Sequence, residues 1–122
     1  MPWLNVPHLT QDKISWCLPA CVAMVSAYWE QPLLQEDIAG WLGTREIGTP
    51  SSNIQRLTRL GFEVSYGEGS TDSLRTWLAQ DCPVILFLRT GELPTWTVDT
   101  PHAVVLAGLH DDTAHIFDPT SR

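Results

Sequence analysis

The sequence is short of basic residues, of cysteine and of long apolar runs, and each shortage excludes something. Seven Lys and Arg stand against fourteen Asp and Glu, a formal net charge of −7. No basic cluster is present to neutralise a phosphate backbone, which speaks against nucleic acid as a partner. Three cysteines cannot all pair within one chain and build no compact disulfide framework, so a reducing compartment is favoured. No segment reaches about 18 consecutive apolar residues, the length of a membrane span. The opening Met1-Pro2-Trp3-Leu4-Asn5-Val6-Pro7 also lacks the basic stretch and apolar run of a secretory signal. A soluble, cytoplasmic molecule is expected, with its oligomeric state left open.

What is present suits one core. The 122 residues match a single domain of roughly 100–150, here expected over 1–122. With 43 % apolar and only 17 % charged residues, the chain has the surface to bury and lacks the charge excess of a disordered one. The charge is uneven: residues 1–61 hold four basic and five acidic side chains, residues 62–122 three and nine. A solvated acidic face accounts for this, and it would also steer a cationic peptide.

The first fifteen residues, with Pro2 and Pro7 and no periodicity, read as an extended arm. Trp16 to Trp29 is apolar on nearly every side, which for a helix means burial all round. Pro19 is tolerated only in a first turn, so this central helix should begin between Ser15 and Cys17. Gln35 to Leu42 and Pro50 to Leu60 read as shorter amphipathic helices, the second with Ile54, Leu57 and Leu60 on one face and Gly61 as its stop. Phe62 to Tyr66 alternates like a strand, and Ser70 to Ala79 resembles a helix with Ser70, Thr71 or Asp72 as cap. Val84 to Leu88 and Ala103 to Ala107 are continuous apolar runs, as in strands covered on both faces, and Ala114 to Phe117 follows an Asp111-Asp112 turn. Trp16, Trp29 and Trp41 are expected in the core. Helices first and strands later predict an α+β fold.

Cys17 falls at the amino end of the buried helix, where free amide hydrogens and the helix dipole favour thiolate over thiol. Cys21, one turn deeper, and Cys82, beside Pro83, read as small structural residues. His102 stands where a loop, residues 90–101, enters an apolar strand, and Asp118 ends the next strand. A plain hairpin at Asp111-Asp112 would put Asp118 opposite Val105, on the wrong face for His102. A one-residue bulge, for which Gly108 is the natural candidate, would move it opposite Val104 and bring both side chains to one face, about 7 Å apart diagonally. Gln11, six residues before Cys17, carries an amide that with the Cys17 backbone N–H would make an oxyanion hole. His8, His110 and His115 have no helical metal-site spacing.

The order Gln11, five residues, Cys17-Leu18-Pro19-Ala20-Cys21, then His102 before an apolar strand and Asp118-Pro119 resembles the bacteriocin-processing (double-glycine leader) branch of papain-like cysteine peptidases. Asn5-Val6-Pro7 and Pro83-Val84-Ile85 resemble it too, so the likeness spans almost the whole chain. It implies a papain-like fold, with an N-terminal helical part and buried central helix packed on a C-terminal antiparallel sheet. It also implies a nucleophile at Cys17, a general base at His102, an orienting carboxylate at Asp118 and an oxyanion donor at Gln11. No cofactor is implied. The family has glycine after the nucleophile; Leu18 stands there instead and would narrow the substrate cleft or change what it accepts, and Trp96 in the loop would line that cleft. The family sheet continues past Asp-Pro, and the transporter parts often fused to leader peptidases are absent here.

A thiol hydrolase acting on a peptide or protein substrate is therefore the leading expectation, with transpeptidation as the other fate of its acyl-enzyme. The competing readings are a catalytically silent peptide-binding domain of the same fold, and a zinc module built from Cys17, Cys21 and His102.

Overall fold

The computed structural model describes residues 3–94 and 96–120. Met1 and Pro2 of the expected arm, Thr95 of the loop before His102, and Ser121 and Arg122 at the end of the expected domain lie outside the described residues. Four helices precede a sheet: α1 (Cys17–Tyr28), α2 (Gln35–Leu42), a 3-10 helix (Ser51–Leu60) and α3 (Thr71–Ala79), then β1 (Val84–Arg89), β2 (Pro101–His110) and β3 (Thr113–Phe117). The strands form an antiparallel sheet in the order β1-β2-β3, so helices and strands segregate as α+β.

Helix α1 has no polar face, and Leu18 through Met24 together with Ser26 are buried. Pro19 sits in its first turn, where an amide hydrogen would have no intrahelical partner anyway. Leu18, Val22 and Met24 share one core with Ile38 and Leu42 of α2, Ile54 and Leu57 of the 3-10 helix, and Val105 of β2. The central helix is thus wedged between the other helices and the sheet. Helix α2 stops at Gly43, whose φ of 67° is left-handed, and Asn53 Nδ2 donates to the last carbonyl, of Leu42, at 2.9 Å. Ser70 caps α3 in a reciprocal box with Ser73, as its hydroxyl allows.

The segment before Gly61 is the expected helix, of the 3-10 kind, and ends at left-handed Gly61. Its three-residue repeat still stacks Ile54, Leu57 and Leu60 in one row, but Leu60 at the open end is 45 % exposed. Several expectations need correcting. Phe62 to Tyr66 forms no strand: Phe62 and Val64 pack on the core, yet no sheet edge is bonded to the segment, since β1 pairs with β2 alone. β1 is an edge strand, and its Phe87 and Arg89, two residues apart on one face, are exposed, so it is not covered on both faces. Trp29 and Trp41 are 48 % and 38 % exposed. Trp29 lies past the end of α1, edge-on to Tyr28. Trp41 falls outside the 35, 38, 39, 42 stripe that α2 buries.

The β2–β3 ladder carries the bulge on which the site depends. His110 pairs with Thr113, Leu109 with Ala114 and Gly108 with His115, whereas Leu106 pairs with Ile116 and Val105 with Phe117. One extra residue, Ala107, therefore stands in β2 beside Gly108. Its carbonyl is taken by the Leu4 amide of the N-terminal arm at 2.8 Å, so the irregularity leaves no orphaned acceptor. Beyond it, the shifted ladder carries Asp118 toward Val104 and the face of His102.

Candidate active site

Three elements converge on one spot: the amino end of α1 with Cys17, the start of β2 with His102, and the end of β3 with Asp118. His102 Nε2 lies 2.8 Å from Asp118 Oδ1, and both side chains are buried. Cys17 is half-buried and hydrogen-bonds the His102 side chain. With Nε2 committed to the carboxylate, the nitrogen left for the sulfur is Nδ1. The bulge is thus the local device, and the 2.8 Å contact is its product.

The carboxylate is held from several sides. Thr120 donates to Oδ1 through its backbone N–H at 2.9 Å and its hydroxyl at 2.7 Å, and Trp96 Nε1 donates to Oδ2 at 2.9 Å. His8 Nε2 donates to the Asp118 backbone oxygen at 2.8 Å. Around Gln11, its backbone N–H donates to the Pro119 carbonyl at 2.8 Å, while buried Gln35 accepts from Asp12 N–H and donates to the Thr10 carbonyl. The strand end and the arm are thereby tied together beside Cys17.

Electrostatics follow from these contacts. Burial works to raise the Cys17 pKa, but the bond from His102, the backbone N–H groups of Ala103 and Leu18 and the imidazole charge outweigh it and hold the thiol below its ordinary value. Burial works to lower the His102 pKa, and its bonds with Cys17 and Asp118 outweigh that and raise it. Burial works to raise the Asp118 pKa, yet the donors His102, Thr120 and Trp96 keep the carboxyl below its usual range. All three directions favour a thiolate–imidazolium–carboxylate row. Cys21 is driven well above the ordinary thiol value by full burial and by the nearby Cys17 and Asp118 charges, and Cys82 is raised by burial. Of the three cysteines, Cys17 alone has its thiol held below the ordinary value.

The remaining sequence candidates fall elsewhere or differently. Leu18 is 2 % exposed and packs into the core, so the expectation that it narrows a substrate cleft is corrected: its position on α1 points it away from the surface Cys17 reaches. Trp96, expected along the cleft, has its indole N–H on Asp118 and its ring 4.9 Å from the His102 ring. Gln11 donates its side-chain amide to the Lys13 and Ile14 carbonyls, and its Oε1 is buried without a partner. In this arrangement its donors do not face an oxyanion beside Cys17. Among the described residues no three His, Cys, Asp or Glu gather into a cluster that would hold a metal ion, and no helix is long and apolar enough to cross a membrane. Sequence reasoning missed Thr120 and His8. An Asp whose side chain accepts the N–H two residues on is a recognisable local turn, so Thr120 was within reach. His8, 110 residues away from Asp118, gives no local signal.

Comparison with known proteins points one way. The family model described as Peptidase_C39 like family matches residues 3–122. The peptidase domain of Streptococcus ComA, a bifunctional ABC transporter involved in quorum sensing, superposes with a TM-score of 0.73 at 20% identity, covering 94% of this chain and 80% of that one. A C39-like peptidase structure from Bacillus anthracis gives a TM-score of 0.74 at 17% identity, over 97% of this chain and 82% of that one. No curated protein sequence matches.

Proposed function

This chain belongs to the Peptidase_C39 like family, and on that premise we propose that it is a cysteine peptidase that cleaves a peptide or amide bond through an acyl-enzyme on Cys17. The observation that carries the reading is the row Cys17, His102, Asp118, with the thiol lowered and the imidazole raised. The Cys17 thiolate attacks the carbonyl carbon, its lone pair forming the C–S bond while the C=O π pair passes to the oxygen. The tetrahedral intermediate collapses as the C–N bond breaks, and His102 Nδ1 gives its proton to the departing amine. Water then attacks the thioester carbon, His102 takes its proton, and the C–S bond breaks to release the acid and regenerate the thiolate. Asp118 keeps Nε2–H in place throughout, fixing the tautomer whose Nδ1 exchanges protons. An amine in place of that water would make the same enzyme a transpeptidase, which product masses distinguish.

The direct test is a peptide-library cleavage profile for the wild type beside Cys17→Ala, with a defined cleavage motif expected only for the wild type. Iodoacetamide should label Cys17 faster than Cys21 and Cys82, and His102→Ala should slow it. One observation favours a second reading. Because the Gln11 amide is spent on Lys13 and Ile14, the site lacks the side-chain oxyanion donor, as a peptide-binding domain without turnover would. Saturable peptide binding with no cleaved product, and sluggish labelling of all three cysteines, would favour that domain over the peptidase.

A further inference from the structure

We propose that Trp96 is a positioning residue for the Cys17–His102 pair, acting through Asp118 with its indole N–H and through its ring as a cover over the imidazole. The inference rests on the peptidase reading of that site and adds to it a residue whose expected place was the substrate cleft. Two contacts of different kind carry it: Nε1 donates to Asp118 Oδ2 at 2.9 Å, and the ring lies 4.9 Å from the His102 ring at 50°. His102 and both Thr120 donors use Oδ1, so among the described residues Trp96 is the donor on the other oxygen and with it fixes the plane of the carboxylate. A carboxylate free to turn would carry Oδ1 away from Nε2.

The loop that presents Trp96 is braced at its base. Thr90 is fully buried; its N–H bonds to the Thr100 carbonyl at 2.9 Å, its hydroxyl accepts from Thr100 N–H and donates to the Val98 carbonyl. Asp99 adds bonds to Arg89 and to the Gly91 N–H, each at 3.0 Å. Trp96 N–H itself reaches the Leu93 carbonyl at 3.2 Å. The indole is thus held by a clamped loop. An aromatic ring over a charged pair also keeps water off it, and charges act more strongly through the drier medium.

The titratable groups around the cluster are Cys17, Cys21, His102 and Asp118, with His8 on the Asp118 backbone oxygen. The test is the pH dependence of Cys17 alkylation by iodoacetamide in the full chain, for the wild type, Trp96→Phe and Trp96→Ala. Phenylalanine keeps the cover and loses the donor; alanine loses both. The acid limb, where Asp118 and Cys17 take up protons, should move to higher pH in both variants. Rates on that limb should fall about tenfold or more in Trp96→Phe and further in Trp96→Ala, the scale of one lost hydrogen bond to a charged group. Rates reduced at every pH with an unmoved limb would reduce Trp96 to packing and overturn the proposal. A limb that moves in Trp96→Ala alone would remove the indole N–H from it and overturn it equally. If Trp96→Ala fails to fold, Trp96→Phe decides. A wild type whose Cys17 labels no faster than Cys82 at any pH would instead sink the peptidase reading, and the proposal with it.

Discussion

His102 and Asp118 meet at 2.8 Å between Nε2 and Oδ1, although a regular hairpin would hold their side chains on opposite faces of the sheet. The displacement comes from one surplus residue in β2, which shifts the β3 partners between Gly108 and Leu106 by one. Side chains alternate faces with a period of two, so a slip of one converts an excluded pair into a contact. Inserting one alanine between Phe117 and Asp118 should therefore carry Asp118 opposite Ala103 and so to the far face. The expected outcome is a Cys17 alkylation rate near that of Cys82, with far-UV circular dichroism still reporting helices and sheet. An insertion variant that folds and labels as fast as the wild type would show that the strand register does not place the carboxylate.

Asp118→Asn keeps the shape of the side chain and removes its charge. An amide can also present its NH₂ to Nε2, which would leave the imidazole in the wrong tautomer for taking the Cys17 proton. Once a cleavable peptide is found, kcat should fall by roughly 10²–10⁴, as when the orienting carboxylate of a catalytic triad is replaced by its amide, with KM little changed. A fall carried by KM alone would assign Asp118 to substrate binding.

Stability should show a pH window belonging to this pair. Asp118 is lowered from an ordinary 3.8, so its contribution is present above that value and is lost as pH falls through the folded one. His102 is raised from an ordinary 6.5, so its contribution is full below that value and is lost as pH rises through the folded one. Cys17→Ala leaves the pair by itself. The stability lost when Asp118→Asn is added to that background should be greatest between those two ordinary values and shrink on either side. Urea unfolding across the pH range checks this, and a flat difference would contradict it.

The architecture was legible where the physics is local. The all-round apolar run with Pro19 in a first turn located α1, the Ser70 cap located α3, and the hydrophobic runs located the β1 and β2 segments. The bulge was legible too, because Cys17, His102 and Asp118 read as one site only if Asp118 changed face, and Gly108 marked where that was easiest. What failed depended on neighbours distant in sequence. Phe62 to Tyr66 alternates, but a strand needs a free edge to pair with, and periodicity does not report one. Trp41 is apolar, yet the three- and four-residue spacing of the α2 stripe leaves it outside. The turning of the Gln11 amide toward Lys13 and Ile14, and of Trp96 toward Asp118, are choices of rotamer made by tertiary contacts.

Leu18 separates packing from chemistry beside the nucleophile. It is the residue after Cys17, but its side chain is 2 % exposed in the core shared by α1, α2 and β2. Leu18→Ala should destabilise the fold by about 2–5 kcal/mol, the range for a buried leucine cut to alanine. Below the unfolding transition, the Cys17 alkylation profile and the KM for a cleaved peptide should stay close to those of the wild type. The backbone N–H of Leu18 reaches the sulfur, and the substitution retains it. A changed KM or cleavage preference at temperatures where the variant is fully folded would mean that the Leu18 side chain meets substrate after all, and the cleft would have to be drawn deeper than the exposed edge of Cys17.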